Sequence, residues 1–422
     1  MPSPLMLHRD FRWFVTAQSV SLFGTAMAPV ALAFAVLDAS QSPGDLGIVV
    51  TAYIVPLLLF VLVGGATADR FPRRTVLTAA NLGCALTQGA VAALLLTGSY
   101  ALVPVAALGF ANGVLAAFTT PALRGIVPQL VPGDRLRQAN ALLGSVRNTT
   151  KILGPGLSGV LVAAVGGGAA IAFDALTYLF AAACLTRLSS LSGPSTSRRS
   201  LGLFTDIREG WDAFRRIRWV WTVSLAFCVV NLVQVGTWQI LGPVLTRQAD
   251  GEVAWGFVLS ARGAGLLVMS ALMYRLTVRH LLRLGQLVSV LGALPLLALG
   301  AHLHAPWLIA ASFTAGLGSS VAAVGWETSL QEHVPPHALS RVSSFDNLLS
   351  YLAMPAGQLS VAPLADRFGG FQVALVAGVV HAAAVMTPLV SGVVRRLPHG
   401  QGPNNPVDGG AATSTPPEPV TT

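Results

Sequence analysis

Charge is scarce in this 422-residue chain: only 10% of residues are Asp, Glu, Lys or Arg, 53% are apolar, and mean hydropathy is +0.67. A soluble protein carries about 25% charged residues, so a water-soluble fold is excluded. Lysine is nearly missing; Lys151 is the single one among 26 basic residues. Cysteine is limited to Cys84, Cys184 and Cys228, each inside an apolar run with no C-x-x-C spacing, which excludes a disulfide framework and a thiolate metal site. No G-x-x-x-x-G-K-[S/T] loop is present to cradle phosphates, which argues against an ATP-driven pump. With no metal cluster and no catalytic triad in the sequence, the chain reads as a non-enzyme without cofactors.

What the chain has instead is apolar runs, each near the roughly 20 residues an α-helix needs to cross a bilayer. Twelve are predicted, over residues 12–36, 46–68, 75–97, 101–123, 139–165, 169–187, 219–246, 254–274, 281–301, 305–327, 343–365 and 370–394. With both termini on one side, 21 of the basic residues fall in segments on that side and only Arg247 and Arg367 on the other. That asymmetry predicts a multi-pass protein of the inner or plasma membrane with cytoplasmic termini. It also explains the net charge of +9 without nucleic acid. The first apolar run is of full span length and reads as an uncleaved anchor.

The organisation expected is a six-helix bundle over 1–187, a cytoplasmic linker over 188–218, a second bundle over 219–394 and a disordered cytoplasmic tail over 395–422. In the linker, Phe204, Ile207, Trp211, Phe214 and Ile217 recur at helical steps, which predicts an amphipathic helix on the inner membrane surface. The halves repeat. A shift of 205 lays Arg70, Arg74 and Leu77 on Arg275, Arg279 and Leu282; a shift of 203 lays Arg124, Val131 and Pro132 on Glu327, Val334 and Pro335. Parallel six-helix repeats are a transporter architecture, with the substrate site between the halves near the midplane.

Between the second and third runs stands Gly65-Ala-Thr-Ala-Asp69-Arg70-Phe-Pro72-Arg73-Arg74. It resembles the signature loop of the major facilitator superfamily, G-x-x-x-D-R-x-G-R-R, with Pro72 in place of the usual Gly. Gly154-Pro155-Gly156-Leu157-Ser158-Gly159 is similar to the G-P-x-x-G-G motif of the superfamily's antiporters, with Ser158 replacing one Gly. Phe11-Arg12-Trp13, Pro132 to Asn140 and Trp326-Glu327-Thr328 resemble the bacterial group that includes the enterobactin exporter and macrolide efflux proteins. The resemblance implies an all-α fold of twelve transmembrane helices in two parallel repeats, with Gly65, Asp69, Arg70, Arg73 and Arg74 locking the cytoplasmic side of the outward-facing state. It further implies a monomer in membrane lipid that exports a small organic molecule, a drug, siderophore or natural product, by alternating access and proton antiport. The chain has Thr25 and Gly109 where related proteins often carry an acid and an arginine, so proton coupling comes from the resemblance and not from a residue. The competing readings are a nutrient importer of the same fold and a non-transporting membrane receptor or scaffold.

A charge near the middle of a spanning helix costs about 2.5–3.5 kcal/mol on insertion scales, so each one needs a reason. Arg147, Lys151, Asp174, Arg262 and Asp346 are the candidate cavity charges, and His381 reads as a packing histidine. Arg147 and Lys151 share one face with Gly144 and Asn148, which predicts either a positive wall and an anionic or polyphenolic substrate, or neutralisation by an acid from another helix or a lipid headgroup. Arg124 and Glu327, related by the repeat, form a candidate gate or coupling pair. Gly154, Pro155 and Gly159 are candidate helix-crossing positions.

Overall fold

The computed structural model describes residues 9–131, 136–188, 211–212, 214–273, 278–334 and 336–397; within these, the side chains of 61–70, 120–121, 124–125, 128, 136–138, 140–141, 331, 336–341 and 344 are not described. Most of the linker and the whole tail from 398 lie outside the described residues. Among the described residues every regular element is helical.

The first half runs α1 (Arg9–Ser40), α2 (Pro43–Arg70), α3 (Arg73–Leu96), α4 (Leu102–Leu130), α5 (Leu136–Val165) and α6 (Gly167–Thr186). The second runs α7 (Arg218–Asp250), α8 (Glu252–Met273), α9 (Leu281–Gly300), α10 (Ala305–His333), α11 (Pro336–Leu352 and Met354–Phe368) and α12 (Gly370–Val390). Eleven of the twelve are apolar enough to cross a bilayer by length and composition. The twelfth, α5, is the helix that carries Arg147, Lys151 and their polar neighbours, and its 30 residues exceed span length. Several helices outrun the predicted apolar spans: α4 and α10 each hold 29 residues, about 44 Å, so their last turns project beyond the hydrocarbon.

Three of the second-half helices are broken where the apolar pattern is continuous. A π-helical turn interrupts α7 at Thr237–Leu241, a 3₁₀ turn interrupts α9 at Val290–Ala293, and α11 breaks at Ala353, just before Pro355. Tight turns join α1–α2, α3–α4, α5–α6, α7–α8, α9–α10 and α11–α12, all on one side, here the turn side. The other side carries the linker and is called the linker side.

The repeat is written in the backbone. Gly166, between α5 and α6, has φ 83, and Gly369, between α11 and α12 at a shift of 203, has φ 86. Their ψ values of 160 and 136 lie in a region open only to glycine. After α3, Gly98 (φ 68) and the bond from Ser99 N–H to Leu94 O (2.9 Å) are matched after α9 by His302 (φ 58) and Leu303 N–H to Ala298 O (3.0 Å).

Core placement shows how the halves meet. On the linker side they have separate cores, one around Phe11, Phe14, Leu77, Ile126 and Leu185 and one around Phe214, Trp219, Leu282, Trp326 and Val342. On the turn side a single core mixes Val30, Phe34 and Leu46 with Trp238, Leu245, Trp255 and Val361. Of the expected amphipathic linker helix, Trp211 and Phe214 are described. Their rings lie 5.5 and 6.2 Å from that of Phe345 in α11, so this end of the face covers the second half itself.

Candidate transport site

Two polar clasps hold the halves together on the turn side. Arg247, near the end of α7, pairs with Asp38 at the end of α1 and with Glu252 at the start of α8 (3.2 Å). One layer deeper, Thr51 of α2 donates to Gln358 Oε1 (3.2 Å), and Gln358 Nε2 donates to Gln239 Oε1 (2.8 Å) inside the π-helical turn. Gln358 is fully buried; its amide oxygen is satisfied across the interface by Thr51 and its amide nitrogen within the second half by Gln239. Gly47 lets α2 come against the Gln358 carbonyl, which a Cβ would strike.

A second seam, between α5 and α8, runs through the middle. Gly156 N–H donates to Ser260 Oγ (2.9 Å), and Gly159 lies against Glu252, Val253 and Gly256. Pro155 has no N–H, so the Lys151 carbonyl loses its helical partner, and Gly263 of α8 passes against that carbonyl. Gly154 faces the other way, onto Ala26 of α1, and Ser158 Oγ donates to Met27 O (2.9 Å). The Gly154-Pro155-Gly159 motif thus holds one helix against two neighbours in different halves.

These contacts fix the orientation of α5. Its α1-facing and α8-facing residues flank the stripe Gly144, Asn148, Lys151 and Pro155, while Leu153, Leu157 and Val160 are exposed on the opposite, apolar face. Lys151 and Asn148 are exposed, Arg147 lies at the edge of the stripe, and a Cβ on Gly144 would meet nothing. The basic stripe therefore borders the gap between the halves.

The remaining sequence-predicted charges fall in different places. Asp174 is fully buried inside the first bundle, against Gly24 of α1; Gln88 of α3 donates to its Oδ2 (3.0 Å) and Thr177 to its Oδ1 (3.4 Å). It is a bundle-interior acid and lines none of the described cavities. Arg262 sits inside the second half, its Cζ 5.9 Å from the Trp238 ring centroid. With the Gln234 amide oriented oxygen-inward, both guanidinium Nη atoms donate to it at 3.0 and 3.2 Å. Asp346 is buried where α7, α10 and α11 meet. Ser224 Oγ donates to its Oδ1 (2.6 Å), Trp326 Nε1 to its Oδ2 (3.0 Å), and Ser350 Oγ stands 3.4 Å from Oδ1.

Asp346 and Glu327 line a cavity of about 310 Å³ in the second half, with Asn231, Tyr351 and His381. Glu327 is exposed there; the side chain of Arg124, its proposed partner, lies outside those described. His381 is only half the packing histidine expected: Nε2 is 3.2 Å from Ser289 O, and Nδ1 is buried without a partner among the described residues. The side chains of Gly65, Asp69 and Arg70 are likewise outside the described set; their backbone forms the last turn of α2. Arg73 and Arg74 open α3, and Arg74 Nη2 donates to Thr186 O (2.6 Å), capping α6. Pro72 caps α3 at φ −55, proline's own preferred angle, so the departure from Gly carries no strain.

Sequence reasoning missed Asp38, Thr51, Gln239, Arg247 and Gln358. Asp38 and Arg247 looked like loop charges, and the three neutral residues carry no motif; only the fold brings positions two hundred residues apart together.

Comparison with known proteins places this architecture. The chain is 29% identical over 372 residues to the multidrug efflux pump Tap of Mycolicibacterium fortuitum, covering 82% of this chain and 87% of that one. It is 24% identical over 399 residues to macrolide efflux protein A of Streptococcus pyogenes, covering 90% and 95%. With the MFS-type transporter YfiS of Bacillus subtilis it shares 28% identity over 282 residues, 64% of this chain and 66% of that one. Among solved structures, the nucleoside transporter NupG superposes with a TM-score of 0.73 at 10% identity, covering 92% and 99%. A peptide transporter of the POT family superposes at 0.72 with 13% identity, covering 92% and 95%. Those two likenesses establish the fold alone. The family profile of the Major Facilitator Superfamily matches residues 14–358. Twelve spanning helices, two parallel repeats and that match agree: the chain belongs to the Major Facilitator Superfamily.

Proposed function

We propose that this protein is a secondary transporter that exports a small organic molecule from the cell by alternating access. The observation that carries the reading is one-sided closure: clasped halves on the turn side, separate cores and an exposed basic stripe on the linker side. The arginine asymmetry supports a cytoplasmic linker side, and in that orientation this conformation is inward-facing. Relatives named for multidrug and macrolide efflux support export over uptake. The working units are the bundles 1–187 and 219–394 joined by the linker 188–218, acting as a monomer in lipid.

Protons are the coupling ion in this reading, and Asp346 is the coupling residue. It reaches the cavity, and its described hydrogen-bond partners are all neutral. A carboxylate released by substrate in one state and protonated in the other links the two fluxes. In the opposite state Arg124 and Glu327 close the linker side together with Asp69 and the arginines of the signature loop.

The experiment is transport in inverted vesicles against whole cells, using a panel of antibiotics and siderophores in an efflux-deficient host. Export predicts accumulation in inverted vesicles under an imposed proton gradient and decreased content in whole cells. Accumulation by whole cells would establish uptake instead. Asp346→Asn is expected to abolish gradient-driven accumulation, by at least tenfold, while exchange at equal concentrations persists. The swap Arg124→Glu with Glu327→Arg should recover part of the flux that each single change removes.

A further inference from the structure

The sequence offered a basic stripe and hence an anionic substrate. The walls of the second-half cavity point the other way. Among the described residues its two charged lining side chains are both acids, Glu327 and Asp346. Glu327 makes no hydrogen bond or ion pair among the described residues, so its charge is available to whatever enters. Arg262 is not among the lining residues; its guanidinium donates to Gln234 and lies 5.9 Å from the Trp238 ring centroid.

Hydrogen-bond bookkeeping strengthens the point. A carbonyl oxygen only accepts, so the contact with Ser289 O places the ring hydrogen of His381 on Nε2. Nδ1 then keeps a lone pair, buried in the cavity wall and without a donor. Asn231 spends an amide hydrogen on Ser350 O (2.8 Å), leaving its oxygen free. Among the described lining residues, Glu327 and the Asn231 amide oxygen are thus unpaired acceptors at the cavity. An acceptor left without a donor favours an occupant that brings one. Trp326 and Phe227, in edge contact at 6.2 Å, and Tyr351 supply the aromatic wall against which a cation is further stabilised.

We propose that this cavity is a binding site for an organic ammonium ion, its N–H groups shared between Glu327 and Asp346 and its apolar body against Trp326 and Phe227. The inference rests on the transporter reading for its physiological meaning, but the site itself is testable without transport.

Three probes on one scaffold separate charge from shape: biphenyl-4-methylammonium, biphenyl-4-methanol and biphenyl-4-carboxylate, titrated calorimetrically into the full-length protein in nanodiscs at pH 7. The ammonium ion is expected to bind at least tenfold tighter than the carboxylate, with the alcohol between. Glu327→Gln should weaken the ammonium at least tenfold and leave the alcohol within twofold, which reports that the aromatic wall is intact. Because Glu327 is exposed and bonded to nothing described, this variant is expected to fold. Equal or tighter binding of the carboxylate overturns the proposal, as does a Glu327→Gln protein that holds the ammonium as well as the parent. Binding of the ammonium with no flux of any compound in vesicles overturns the transporter reading instead and leaves the site standing. Flux that is indifferent to Glu327, with no ammonium binding, does the reverse.

Discussion

Arg247 shows how little energy a single residue needs in order to matter here. Its side chain is 37% exposed and that of Asp38 41%, so solvent screens the pair and its worth is about 0.2–1 kcal/mol. Such a contribution is invisible in overall stability, yet about 1.4 kcal/mol shifts a two-state equilibrium tenfold. Arg247→Ala is therefore expected to leave thermal unfolding within about 2 °C while increasing access from the turn side several-fold. Labelling of a Thr51→Cys protein by a membrane-impermeant thiol reagent measures that access; unchanged labelling would show that the clasp biases nothing. At this scale the sequence was a partial guide. Lys151 and Asn148 could be placed on one face from helical spacing alone. Asp174 could be recognised as an intramembrane acid, but its burial against Gly24 and Gln88 depends on three helices that no local pattern relates.

The element that couples the halves is the α5–α8 pair, and its glycines do different work. Gly263 of α8 runs against the Lys151 carbonyl with no room for a side chain, whereas Gly144 of α5 faces open space. Gly263→Val should separate the seam and cost about 1–3 kcal/mol, seen as a lowered unfolding temperature in detergent together with lost flux. Gly144→Ala should change neither by more than experimental scatter, and a loss there equal to that of Gly263→Val would mean that glycine content, not contact, sets the response. Spans were readable from composition because only helices satisfy the backbone in hydrocarbon. The breaks in α7, α9 and α11 were not, because the apolar pattern runs straight through them. The π-helical turn in α7 has an evident use: it presents Trp238 to Arg262 and Gln239 to Gln358.

At the scale of the whole molecule, the duplication seen as a numerical shift in the sequence reappears as matched turns with matched φ angles, so both halves inherit the same chain reversals. Closure on the turn side offers a direct test. A Cβ built on Gly44 would stand 3.9 Å from the Ala362 Cβ, within the range a disulfide requires. Gly44→Cys with Ala362→Cys, in a background where Cys84, Cys184 and Cys228 are replaced, should oxidise readily and stop transport, with activity restored by a reductant. Oxidation that leaves flux intact would show that the halves need not part on this side. The placement of the Arg247 clasp has a further consequence, concerning the medium outside the cell. Counter-ions shrink the reach of a surface charge from about 10 Å at 0.1 M to about 3 Å at 1 M. The deeper Thr51–Gln358 contact is neutral and buried, and feels no such screening. In the proposed orientation, brine outside the membrane should loosen the outer latch and not the inner one, so the resting balance of the protein becomes a function of external salinity.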